Sequence, residues 1–139
     1  MQVVKIQIKK SKGERVTALS ARVARERGIE GSMPPKTPER QISLMAGELL
    51  PDIRDMGGHC TSRFEADIET IGLDYSSLSV GARIKTGTAV LEITAVGKKC
   101  FDECPIRQRG DRCQLPGNCA FGKIAEDGEI SVGDEMVVL

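Results

Sequence analysis

Aromatic residues are scarce: three Phe, one Tyr and no Trp make up 3% of the chain. So few rings leave little with which to stack nucleic-acid bases, and the core must come from Val, Ile, Leu, Ala and Met. Surplus charge is missing as well. Twenty Lys and Arg stand against 20 Asp and Glu, for zero formal net charge, whereas general nucleic-acid binding needs a basic excess to neutralise phosphates. No apolar run approaches the ~18 residues of a membrane span. The start, Met1 to Ile6, alternates where a signal peptide would be continuously apolar. A cytoplasmic protein with neither a nucleic-acid nor a membrane partner is expected. Also absent are the Gly-x-Ser-x-Gly elbow, the Walker loop, the dinucleotide-binding Gly-x-Gly-x-x-Gly and the His-Glu-x-x-His helix, so the common hydrolase, nucleotide-binding and zinc-protease classes lack support.

Cysteine, by contrast, is concentrated. Cys100, Cys104, Cys113 and Cys119 fall in one polar stretch rich in Arg and Gly, and the fifth, Cys60, follows the single histidine, His59. An odd count argues against a secreted disulfide framework, and in a reducing compartment such residues are metal-binding or reactive. The spacing C-x3-C-x8-C-x5-C suits neither the paired knuckles of structural zinc nor the common iron–sulfur runs, although both need four thiolates. A zinc or iron–sulfur site on these four, four unconnected thiols, and a reactive sulfur all stay open. For the last, residues 98–112 hold five basic and three acidic side chains. Nearby cations lower a thiol pKa from ~8.5, and ~2 units suffice to make it mostly thiolate. The arginines there are equally suited to gripping an anionic ligand through two-point contacts. His59 is a candidate ligand or general base with Cys60, or simply a polar turn residue.

At 139 residues one domain, 1–139, is expected. Val4, Ile6 and Ile8 alternate as a half-buried strand. Val16, Leu19 and Val23 recur at helical spacing up to Gly28, predicting a short helix with Arg22, Arg25 and Arg27 on its solvated face. Residues 31–40, with Pro34, Pro35 and Pro38, read as loop. A strand is predicted at 41–44, then a helical segment over 46–56 in which Pro51 is tolerated only in a first turn or at a kink. Phe64, Ala66 and Ile68 predict a strand with Asp67 and Glu69 facing solvent. Ala82 to Lys85 and Thr88 to Val96 form a hairpin around Thr86-Gly87, and two last strands cover 120–125 and 135–139. These short strands with two early helices predict a mainly β protein, a closed or nearly closed β-barrel with a few short helices.

The run Arg40-Gln41-Ile42-Ser43-Leu44, Arg63-Phe64 with Asp67-Ile68, Leu78-Ser79-Val80-Gly81, Gly87 to Thr94, Gly97-Lys98-Lys99-Cys100, the cysteine loop and Gly133-Asp134-Glu135 together resemble the MOSC domain. That is the molybdenum cofactor sulfurase C-terminal domain, here of the short stand-alone bacterial type. The resemblance implies a barrel-like fold and a sulfur carrier for molybdenum cofactor (molybdopterin) chemistry. In it a cysteine after the Leu-Glu-Ile-Thr strand holds a persulfide or binds molybdenum directly. Cys104 is the first candidate and Cys100 the second, with Arg40, Arg63, Arg107 and Arg109 gripping the pterin phosphate. The implied partners are a pyridoxal-phosphate cysteine desulfurase and a molybdoenzyme or cofactor-synthesis protein. Cys113 and Cys119 supply a resolving thiol or complete a metal site. Where family members read Gly-Leu-Glu-Gly-Asp-x-His, this chain has Gly28 to Pro34 without the acid or the histidine, and His59 is the candidate to take up part of that role. Asp67 stands where relatives have Asn. A molybdenum oxidoreductase acting on N-hydroxylated compounds is the alternative within the same resemblance.

Overall fold

The computed structural model describes residues 1–58, 60–61, 63–98 and 103–139. Strands β1 (Gln2–Ser11) and β2 (Glu14–Ala18) form a hairpin through Gly13, whose φ of 80° a side chain would resist. Then follow β3 (Ser20–Ala24), β4 (Gly28–Ile29), β5 (Ile42–Ala46), the helix α1 (Leu50–Arg54), β6 (Ile68–Ile71), β7 (Arg83–Thr86) and β8 (Ala89–Val96). A second short helix, α2 (Pro105–Gln108), precedes β9 (Cys119–Glu126), β10 (Gly128–Ser131) and β11 (Met136–Val138). The architecture is mainly β with few helical residues, and no helix among the described residues is long and apolar enough to cross a membrane.

Eight strands pair in the order β11-β7-β8-β9-β5-β6-β1-β2, all antiparallel except β5 with β6, and a small sheet β10-β3-β4 packs against that ladder without joining its strand order. The ladder is open, with β11 and β2 at its edges, so a continuously hydrogen-bonded closed barrel is not what the strand pairing forms. A short seam links the start of β1 to the segment that enters β11. Gln2 bridges to Glu135, Val3 N donates to Asp134 O at 2.9 Å, and Met136 N donates to Met1 O at 2.9 Å. Strand β1 divides its length: its first half meets this seam and β6, and its second half pairs with β2.

The helix expected over 16–28 is replaced by β2, β3 and β4. Val16 and Leu19 are 46% and 81% exposed, while Ala21 and Val23 alternate into the core. Pairing decides against the helical spacing: β3 gains β10 as a neighbour, with Val23 opposite Gly128, and distant partners override weak local preference. Gly128 is required there, because a Cβ would lie 2.5 Å from the backbone carbon and oxygen of Thr88. The segment expected as a strand from Phe64 joins the sheet only at Ile68. Pro51 occupies the first turn of α1, the one helical place where its missing N–H costs nothing.

Two cores result. The larger is aliphatic, built from residues such as Ile6, Leu44, Ile68, Ile84, Leu91, Ile93 and Ile124, and Tyr75 is its one ring. Tyr75 is 2% exposed, with its hydroxyl 2.7 Å from Thr70 Oγ1. The smaller core packs Met45, Ile53, Ala66, Leu115 and Cys119 under Cys60, Phe64 and Cys113.

Candidate functional site

A cleft of about 1090 Å³ opens where the β1–β2 hairpin faces the loop before β6. The hairpin contributes Lys9, Gly13 and Arg15, the loop contributes Cys60, Arg63, Phe64 and Glu65, and Lys98 and Glu103 line it from either side of residues 99–102. The loop is shaped by its own hydrogen bonds. Gly58 N donates to Thr61 Oγ1 at 2.9 Å, Phe64 N donates to Cys60 O at 2.8 Å, and Arg54 Nη1 donates to Thr61 O at 3.1 Å. Four cations and two acids thus line the cleft, with Glu65 engaged by Arg54 at 3.5 Å and Arg15 by Asp67 at 3.2 Å. The balance favours an anionic ligand.

Phe64 forms one wall. It meets Phe121 edge to face, with centroids 6.1 Å apart, and Lys98 Nζ lies 5.9 Å from its ring centre. Arg40 stacks 4.3 Å over Phe121, so its guanidinium is engaged with that ring. Two of the three phenylalanines therefore serve this one corner.

Asp67 stands behind the hairpin. Its Oδ2 accepts from Ser43 N at 2.9 Å and from Ser43 Oγ at 3.1 Å, while its Oδ1 accepts from Arg15 Nη1 at 3.2 Å. Asp67 is thus not the solvent-facing acid that strand alternation predicts: its side chain is 16% exposed. Glu69 is likewise engaged, 3.6 Å from Lys5.

The sulfurs are placed unequally. Cys104 is buried at the entry to α2, and a Cβ on Gly58 would come within 3.1 Å of its Sγ and 2.6 Å of Ile106 Cδ1. The Gly58 turn therefore packs against this thiol, and a side chain there would require Ile106 to shift. Cys119 is fully buried in β9, opposite Met45. Cys113 and Cys60 are half-buried against the smaller core, and Cys60 also lines the cleft. Cys100 and His59 lie outside the described residues. Among the described residues, no group of three His, Cys, Asp or Glu is arranged to hold a metal ion.

Of the arginines expected to grip a phosphate, Arg63 lines the cleft. Arg109 is committed elsewhere, with Nε 2.9 Å from Asp111 Oδ2 and Nη2 donating to Met56 O at 3.3 Å, which straps the end of α2 to the turn after α1. Arg107 is exposed in the last turn of α2. Lys9, Arg15 and Lys98 complete the cationic lining. In sequence, Lys9 is a polar position at the end of the first strand, Arg15 falls between the Gly13 turn and the segment expected as a helix, and Lys98 is a flank of Cys100. The basic run Lys9-Lys10-Ser11-Lys12 marks this end of the first strand in the sequence, and it contains neither Arg15 nor Lys98.

No family model and no curated protein sequence matches the chain. Solved structures do. The YUAD protein from Bacillus subtilis aligns with a TM-score of 0.68 at 18% identity, over 97% of this chain and 93% of that one. YiiM from Geobacillus stearothermophilus aligns with a TM-score of 0.62 at 18% identity, covering 99% of this chain and 74% of its own. YiiM from Escherichia coli gives 0.63 at 17% identity, covering 99% and 70%. The chain therefore shares its fold, over nearly its whole length, with the YUAD and YiiM proteins.

Proposed function

We propose that the chain is a molybdenum-cofactor-associated domain of the cytoplasm that carries sulfur as a cysteine persulfide and delivers it to a molybdenum centre. The observation that carries this reading is the cleft, in which Lys9, Arg15, Arg63 and Lys98 gather beside Phe64 and Cys60. Those residues suit a planar, anionic pterin: cations for its phosphate and a ring edge for its plane. The molybdenum, when bound, supplies the site that accepts sulfur. The MOSC-like fold supports the same reading. In it the short seam at Gln2 and Glu135 leaves the sheet a nearly closed barrel.

The chain's own part is thiol chemistry. A thiolate of Cys104 or Cys100 attacks the outer sulfur of a desulfurase persulfide. The new S–S bond forms as the old one breaks, and the desulfurase leaves as its thiolate. Cys104 is buried with the Gly58 turn against it, so its reaction in this reading needs the thiol to become more exposed. Arg63 and Lys98 hold the anionic end of the cofactor, while Arg40, stacked on Phe121, supports the aromatic wall. Incubation with a pyridoxal-phosphate cysteine desulfurase and cysteine is expected to add 32 Da, one sulfur atom, to Cys104 or Cys100. Intact-protein and peptide mass spectrometry reads it, and no adduct on either thiol ends the proposal. A zinc or iron–sulfur module on Cys100, Cys104, Cys113 and Cys119 predicts stoichiometric metal in the purified protein instead.

A further inference from the structure

Asp67 divides its carboxylate between two elements of different rigidity. Oδ2 is held by the backbone N–H and hydroxyl of Ser43, which lies in β5 with a neighbouring strand on each side. The same hydroxyl accepts from Asp67 N at 2.9 Å, so carboxylate and strand are locked reciprocally. Oδ1 reaches out to Arg15, on the edge strand β2, which has β1 as its one neighbour. Ser43 belongs to the interior of the sheet and Asp67 to the residue just before β6, whereas Arg15 belongs to the cleft wall.

A long cationic side chain on an edge strand has many rotamers available, and a contact that selects one of them lowers the cost of ordering it around a ligand. Asp67 uses one N–H of the guanidinium and leaves the others, which a carboxylate or phosphate can accept from in two-point fashion. We propose that Asp67 is a positioning residue that holds Arg15 as the anion-contacting arm of the cleft, making Arg15 a determinant of preference for ligands with an oxyanion head group. The proposal rests on reading the cleft as the site of an anionic ligand.

Inorganic phosphate is the probe, titrated into the full chain at low, fixed salt and followed by amide NMR shifts of the hairpin. Wild type is expected to bind, Arg15→Gln to bind about tenfold more weakly, and Asp67→Asn about fivefold more weakly, with Asp67→Glu recovering most of the loss. In the Arg15→Gln background, Asp67→Asn should cost nothing further, because its effect passes through Arg15. Wild-type affinity in Asp67→Asn, or an equal loss in both backgrounds, overturns the positioning role while leaving the anionic cleft intact. No binding by wild type removes the cleft reading and this one together. Should Asp67→Asn fail to fold by circular dichroism, Arg15→Gln and Arg15→Lys decide: unchanged affinity in Arg15→Gln refutes the inference.

Discussion

The chain's single tyrosine offers a direct test of how tightly the larger core is closed. Tyr75 is 2% exposed, and burial disfavours its phenolate. Desolvation is the main cause of its raised pKa; the hydrogen bond with Thr70 pulls the other way, and nearby Cys119 and Glu48 add smaller upward pushes. Above the ordinary tyrosine pKa of ~10 the unfolded chain loses the phenol proton while the native chain keeps it. The unfolded state then binds fewer protons, so stability falls as pH rises. The loss grows by about 1.4 kcal/mol per pH unit, reaching about 2.7 kcal/mol at pH ~12 as long as native Tyr75 stays protonated. That is a large part of the ~5–15 kcal/mol available to a domain. With one Tyr and no Trp in the chain, absorbance near 295 nm reports this phenol alone. The expected titration shows no phenolate step near pH ~10 while the protein is folded, then a rise coincident with loss of circular dichroism. Tyr75→Phe should be weaker at neutral pH by about 1 kcal/mol, through its lost hydrogen bond, and should lack the tyrosine share of the alkaline decline. A reversible phenolate step near pH ~10 in folded protein would refute the reasoning, because it would mean that water reaches the ring.

Other perturbations probe the candidate site. Gly58→Ala places a Cβ 2.6 Å from Ile106 Cδ1 and 3.1 Å from Cys104 Sγ; a cost of about 1–3 kcal/mol is expected from such overpacking. Faster alkylation of Cys104 in native protein should accompany it, and unchanged labelling would show that this turn does not cover the thiol. Ile53→Ala empties a fully buried position of the smaller core and should cost about 2–5 kcal/mol in a urea melt. Because that core carries Cys60 and Phe64, Cys60 should become more reactive in the same variant; protection equal to wild type would separate the core from the cleft.

The hairpin of β7 and β8 and the strand character of β1 and β9 follow from alternation and turn glycines within each segment, which is why they can be read locally. The region 16–28 could not be, because Val16, Leu19 and Val23 satisfy a helical spacing by coincidence. Their fate depends on β10, a partner with no local trace in that segment. Asp67 shows the same limit at one residue: alternation makes it a surface acid, and only the approach of Ser43 and Arg15 makes it a bracket.

For the candidate site the division is similar. The concentration of cysteines, the scarcity of rings and the cations flanking Cys100 are properties of sequence alone, and they direct attention to sulfur and to an anion. Which thiols are covered was decided by packing: Cys119 entered β9, Cys104 came under Gly58, and Cys60 reached the cleft. The hairpin folding over the loop likewise brings Lys9 and Arg15 to the cleft beside Arg63, while Arg109 pairs with Asp111 outside that lining. Composition and periodicity are carried along the chain, whereas a cleft is made from segments far apart in it, and only tertiary contact brings their charges together.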